Sequence, residues 1–217
     1  MKKLKNFKFN FNSSLWIGFA LAFLYLPLVI MAIFSFNDSK SLSSWSGFSL
    51  RWYQELFVNQ QMIDAIVVSV SIAILSTVIS TVLGTITAIG VSKSKPLLRK
   101  LVLQVNNLPI MNPDIVTGIS LMLLFSFIKV EKGYLTMLLA HVAFCTPFVI
   151  TNVLPKVRPL DVTLADAAMA LGATPFPALT NVILPQLKPV LISGAFLAFS
   201  MPFSYFFISY FFLGNEF

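Results

Sequence analysis

Charge is the scarcest property of this sequence. Asp, Glu, Lys and Arg make up 11% of its 217 residues, against about 25% in a soluble domain. There are eight acids, one His and one Cys. Each scarcity excludes something. A lone thiol, Cys145, cannot close a disulfide within the chain. The lone His, His141, has no carboxylate pair and no Ser-His-Asp grouping with which to form a catalytic constellation. The nine Gly residues nowhere form a P-loop or another Gly-rich nucleotide motif. No catalytic residue is therefore assigned. With 57% hydrophobic residues and a mean hydropathy of +0.86, the composition also excludes a disordered chain, a basic nucleic-acid-binding domain and an ordinary soluble enzyme.

Long apolar runs are what the sequence has instead. A spanning helix needs about 20 mostly apolar residues. Five regions qualify, over about 15–36, 63–91, 101–128, 134–153 and 190–213. The expected fold is an all-α polytopic membrane protein. A basic N-terminus (1–14) precedes a single transmembrane domain (15–217), with a connecting segment over 154–189. The first run is too long for a cleavable signal and no small-x-small site follows it, so it is expected to remain as a span. His141 and Cys145 lie four apart in the fourth span and share a face. Two soft ligands without a third or fourth do not make a metal site, so they are read as helix packing, with neither metal nor cofactor expected.

The bases set the direction. Lys2, Lys3, Lys5, Lys8, Lys93, Lys95, Arg99, Lys100, Lys156, Arg158 and Lys188 fall on one side of the alternating spans. Lys40, Arg51, Lys129 and Lys132 fall on the other. The positive-inside rule predicts a cytoplasmic N-terminus in the cell membrane and, after five spans, an external C-terminus. On the outer side, 37–61 carries Trp45, Trp52, Tyr53 and Phe57 among polar residues. Such aromatics anchor a helix at the interface, or touch a partner or substrate.

The third region is broken over 106–114. Pro109 and Pro113 lack N–H donors and disfavour helix at the residue before. Asn112 is expected as an N-cap, Pro113 as the first helical residue and Asp114 at the positive helix start. Irregular backbone inside a bilayer persists only when buried in protein or facing water. The break is thus either a pathway element or a plain capped helix end. Acids in spans are rare and costly, which makes Asp114 a candidate on a substrate path. Asp64, at the expected start of the second span, reads as an interfacial first-turn acid.

In the connecting segment, Pro155 and Pro159 are expected to end the fourth span. Thr163 and Asp166 resemble a capping box with a shorter acid. Good helix formers follow from Leu164 to Leu171. Gly172 suits a left-handed C-cap, and Pro175 and Pro177 oppose simple continuation. The expectation is a short helix of about two turns, roughly 12 Å long, too short to be stable alone. It needs a partner surface, and its Ala residues allow close docking.

The order Asp166-Ala167-Ala168, then Gly172, then Val182-Ile183-Leu184-Pro185 resembles the EAA loop of binding-protein-dependent ABC importer permeases. The family's usual glutamate is Asp166 here and its usual first isoleucine is Val182. The run from Leu108 through Asn112-Pro113-Asp114 to Ser120, and the run Phe48-Ser49-Leu50-Arg51-Trp52-Tyr53, are similar to the C-type permease subunits of spermidine/putrescine importers. The resemblance implies a non-enzymatic permease working by alternating access. It implies a sister permease, a pair of ATPase subunits and an extracytoplasmic substrate-binding protein, all meeting in membrane lipid, with no nucleic acid involved. It also implies that Asp166, Ala167, Ala168, Gly172, Leu184 and Pro185 couple ATP hydrolysis to the spans, and that Asp114, with Trp45 as a weaker candidate, contacts polycations through charge and cation–π attraction.

The chain departs from that pattern twice. Where the subfamily has Ser-x-Asp-Asp, this sequence has Pro202-Phe203-Ser204-Tyr205, and Pro202 is expected to kink the fifth span. The family's sixth span is also expected after Phe217 and does not occur in the sequence. These departures motivate a non-transporting membrane protein, or a permease for another small solute, as alternatives. A self-contained secondary transporter is the remaining alternative, although no ion relay or inverted repeat is visible.

Overall fold

The computed structural model describes residues 11–157 and 162–212. The basic residues Lys2, Lys3, Lys5, Lys8 and Arg158, the expected helix end at Pro159, the cap hydroxyl of Thr163 and the C-terminal 213–217 lie outside the described residues. Among the described residues the named elements are all helices, and up to five spans form if one bent pair counts as a single span. The chain divides into two compact units, one up to Ile63 and one from Asp64 onward.

In the first unit, α1 (Phe11–Phe34) is apolar on every face. Every side chain from Ser14 to Ile33 is exposed, as a helix bathed in lipid should be. The following loop is organised by Asn37, which is fully buried. Its Nδ2 donates to the Ser41 and Ser44 carbonyls at 3.0 and 2.8 Å, and its Oδ1 accepts from the Ser46 N–H at 2.8 Å. The Asn37 carbonyl accepts from Trp52 Nε1 at 2.9 Å. One amide thereby satisfies a loop that has few helical bonds of its own. The short α2 (Arg51–Val58) follows.

The second unit is built around α6 (Tyr134–Val157), most of whose apolar length is buried. Lipid supplies no hydrophobic force between helices, so close approach through small residues must hold them together. α3 (Gln60–Lys93) provides it. Ala73, Ser76, Ser80, Gly84 and Ala88 recur every three or four residues, and all are buried. A Cβ added at Gly84 would sit 2.7 Å from Val149 Cβ. The Ser80 hydroxyl donates to the Val142 carbonyl at 3.4 Å. On another side of α6 lies α9 (Leu184–Ser204), where Gly194 faces Asn152, Val149 and Val153. Leu187 and Ala198 complete that core. α3 starts earlier than the composition implies, which places Asp64 in the second turn rather than the first.

The break in the third region is sharper and later than the prolines suggest. Pro109 lies inside α4 (Pro96–Met111), and α5 (Asp114–Phe127) leaves at a 110° bend. Asn112 closes α4 in extended backbone and does not cap α5. The Pro113 carbonyl accepts the first bonds of α5, from Val116 and Thr117 at 3.0 and 3.2 Å. Pro109 is tolerated because the next turn of α4 ends the helix in any case. Pro113 breaks it by holding Asn112 extended.

Pro147 and Pro155 also lie within α6, which continues to Val157 rather than ending near residue 153. The segment 154–189 is mostly helical. It contains α7 (Val162–Ala170), α8 (Pro175–Ala178), a π-turn over Leu179–Ile183 and the start of α9. α7 begins one residue before Thr163, so Asp166 is not in its first turn. The fifth span starts earlier and stops earlier than 190–213. It closes at Tyr205, whose N–H bonds to the Met201 carbonyl at 3.0 Å, and α10 (Phe206–Phe212) follows. Pro202 sits in the last turn of α9, next to that break rather than in the middle of a span.

Candidate functional site

The connecting segment folds as its punctuation requires. Gly172 has φ +93°, a left-handed conformation that L side chains rarely adopt. Its N–H bonds to the Met169 carbonyl, and the Ala173 N–H reaches back to the Ala168 carbonyl, each at 3.0 Å. These two bonds form a Schellman motif that closes α7 and satisfies its last carbonyls. Asp166 and Ala167 are exposed and Ala168 is half-buried. Pro175 then starts a new helical run that continues to Ser204. Pro185 lacks the N–H that would bond to Asn181, and the ladder there widens into the π-turn, with the Leu184 N–H bonding to Leu179 instead. α7 packs against both α8 and the π-turn. α7, which carries Asp166 to Ala168, thereby lies against the turn that holds Val182 and Ile183. Beside the turn, Leu171 is 90% exposed and Phe176 is 73% exposed.

The second candidate is the elbow between α4 and α5. Asp114 opens α5 and is half-buried, and its Oδ1 accepts from the Ile115 N–H at 3.0 Å. One turn on, Gly118 lets α10 approach closely, with the Phe211 ring 3.0 Å from where a Cβ would stand. Asn106, buried in α4, secures the elbow to α6. Its Nδ2 donates to the Pro147 carbonyl at 3.3 Å and to Thr151 Oγ1 at 3.2 Å. Trp45 belongs to the first unit, half exposed, with its ring edge-on to Phe34 at 6.0 Å. The neighbouring Trp52 ring is already flanked by Lys40 and Arg51, at 5.2 and 4.4 Å.

His141 and Cys145 are both buried in α6. His141 Nδ1 lies 2.9 Å from the Met137 carbonyl, so that nitrogen carries the proton. Nε2 lies 3.5 Å from Ser209 Oγ. The Cys145 thiol points to the Ala198 carbonyl at 3.8 Å. Both side chains join helices to one another.

Residues 80–217 match a sequence family described as the binding-protein-dependent transport system inner membrane component. The chain belongs to this family. It is 37% identical to the putrescine transport system permease protein PotI of Escherichia coli K12, over 86% of this chain and 68% of that one. It is 33% identical to the spermidine/putrescine transport system permease protein PotC of the same strain, over 83% of this chain and 68% of the relative. It is 35% identical to the PotC of Haemophilus influenzae, over 83% and 70%. The chain is thus a multi-pass inner-membrane component of a transport system, and it is a permease subunit rather than an enzyme.

Within this permease, sequence reasoning missed Asn106 as a fastener and Tyr205 as a helix end. An Asn inside an apolar run was the available signal for the first, because a buried amide in a span needs partners. Tyr205 carried no such signal, since neither it nor its neighbours are obligate helix breakers except Pro202.

Proposed function

We propose that this subunit, paired with a sister permease, forms the path of an ATP-driven polyamine importer. A pair of ATPase subunits docks on the connecting segment, and an extracytoplasmic binding protein delivers the substrate. The relatives named for putrescine and for spermidine/putrescine transport supply the substrate class. The N-terminus is cytoplasmic, on the side that carries most of the bases. Asp114 lies on the path, with Trp45 a weaker contact outside it.

The observation that carries the reading is the connecting segment. A short helix that is unstable alone ends in a Schellman turn beside two strongly exposed apolar side chains, Leu171 and Phe176. Exposed apolar groups next to a rigid turn suit a partner's cleft. The unbroken helical run Pro175–Ser204 starts at that turn and spans about 45 Å at 1.5 Å per residue. Closure of the ATPase pair moves α7, the π-turn follows it, and α9 carries the displacement to α6, on which it packs and to which Asn106 fastens the elbow. ATP binding then favours the outward-facing state because it makes contacts there that the other state lacks.

The test is labelled putrescine and spermidine uptake in cells lacking the gene, restored with wild type or with Gly172→Val. Wild type restores uptake. Gly172→Val forces a β-branched residue into a left-handed turn at a cost of about 1–3 kcal/mol, and is expected to insert normally yet fail to transport. Normal uptake by that variant removes the coupling role. No loss of uptake on deletion removes the polyamine assignment.

A further inference from the structure

One side chain holds the corner between α3 and α4. Arg99 Nε donates to the Val91 carbonyl at 3.2 Å, and Nη2 donates to the Ser92 and Ser94 carbonyls at 2.7 and 3.1 Å. Val91 and Ser92 lie in the last turn of α3, where carbonyls run out of helical donors. The guanidinium is thereby occupied within the fold. Lys93, Lys95 and Lys100, around the same corner, are all exposed, and among the described residues no ion pair joins them to a carboxylate. No acid occurs between Asp64 and Asp114. The corner is a patch of uncompensated positive charge.

α4 leads away from that patch with three different faces. Val102 and Asn106 turn towards α6 and its core. Leu97, Leu101 and Val105 are exposed on a second face, as contact with lipid requires. Beside these runs a groove of about 390 Å³, lined by Pro96, Arg99, Lys100, Leu103, Gln104 and Asn107. Gln104 and Asn107 are exposed there, and neither amide has a hydrogen-bond partner among the described residues. Amides on a membrane helix are costly unless a polar group covers them. Their order along α4 points to the cover. Lys100 comes first, Gln104 follows about 6 Å further along and Asn107 about 10 Å, at 1.5 Å per residue. A phospholipid has the same order, with an anionic phosphate, then ester carbonyls, then acyl chains. Ammonium groups suit the phosphate, and amide N–H groups suit the carbonyls.

We infer that the groove along α4 at the α3–α4 corner is a binding site for one anionic phospholipid of the surrounding bilayer. Lys95 and Lys100 hold the phosphate, Gln104 and Asn107 donate to the ester carbonyls, and Leu101 and Val105 lie along an acyl chain. A zwitterionic lipid brings its own cation to the lysines and fits the patch less well. The bound lipid keeps α4 seated, and α4 carries Asn106 to α6. This role is independent of what the subunit transports.

The test is a lipid titration of the full-length protein, purified in neutral detergent with the subunits that accompany it. Affinity is read from the rise in thermal midpoint with added lipid. Phosphatidylglycerol is expected to raise the midpoint, while phosphatidylcholine and inorganic phosphate at the same concentrations do not. Lys95→Gln combined with Lys100→Gln is expected to keep the lipid-free midpoint, because both side chains are exposed and without ion pairs. It weakens phosphatidylglycerol binding about 25-fold, about fivefold for each lysine. Gln104→Leu weakens it severalfold, and Lys129→Gln combined with Lys132→Gln leaves it unchanged. Equal phosphatidylglycerol affinity in wild type and the Lys95/Lys100 variant assigns the effect to bulk lipid and overturns the site. An equal rise with inorganic phosphate makes the corner an ion site and overturns the lipid. Wild-type affinity in Gln104→Leu overturns the seating along α4.

Discussion

α1 and α6 are both long apolar helices, and they have opposite surroundings. α1 is the more apolar, and its side chains from Ser14 to Ile33 are all exposed. α6 is less apolar, and most of its side chains are buried. In water the greasier helix would be expected inside. In a bilayer the solvent is itself hydrocarbon, so pure apolarity marks a surface that faces lipid. What marks a helix as central is its ability to interlock. α6 carries Thr136, His141 and Cys145 as buried residues, and Gly84 of α3 and Gly194 of α9 open space for its side chains.

The largest effect that sharpens this contrast comes from one substitution made twice. Gly84→Leu drives a side chain into Val149, where even a Cβ would be 2.7 Å away. Overpacking of this severity costs about 3 kcal/mol or more, and the protein is expected to fall sharply in membrane abundance. Gly18→Leu in α1 meets nothing within 4 Å and is expected to be neutral. Equal abundance of the two variants breaks the comparison.

Next in size is Asn106→Leu, which removes both bonds to α6 and leaves Thr151 without that donor. A loss of about 1–3 kcal/mol is expected, read as a lower thermal midpoint in detergent. Transport should fall further than stability does, because the elbow that presents Asp114 loses its fastening. A variant with unchanged midpoint and unchanged uptake removes the fastening role.

The smallest effect is Val149→Ala set against Val29→Ala. Val149 is fully buried and Val29 is 52% exposed. Removing two methyl groups from a packed seam costs roughly 1–2 kcal/mol. Removing them from a lipid-facing helix changes only contact with lipid, so no shift in midpoint is expected. Matched shifts in the two variants mean that α1 is packed in the folded protein.

Much of the architecture was legible from local signals. Apolar runs marked the helices, because backbone polar groups in lipid have no partner outside their own helix. Gly172 marked the end of α7, because a left-handed residue is a local backbone requirement. Less legible were Pro109 and Pro155, which stay inside helices. A missing N–H costs little where the helix is about to end or the freed carbonyl finds another partner, and that depends on neighbours. The elbow was expected over 106–114 but its turn comes at Asn112 and Pro113. The end of α9 at Tyr205 is set by packing of α10 on α5 and α6.

The sequence by itself determined the class of molecule, the segments that form helices and the pattern that joins Asp166 to Pro185. Each of these follows from the solvent's demand on nearby residues or from backbone geometry within a few positions. Only the tertiary structure decided which faces are buried, that α7 packs against the π-turn, and that α10 approaches α5 at Gly118. Those contacts join residues as many as 93 positions apart, as Gly118 and Phe211 are. They depend on how side chains of different helices interlock, which no local pattern specifies.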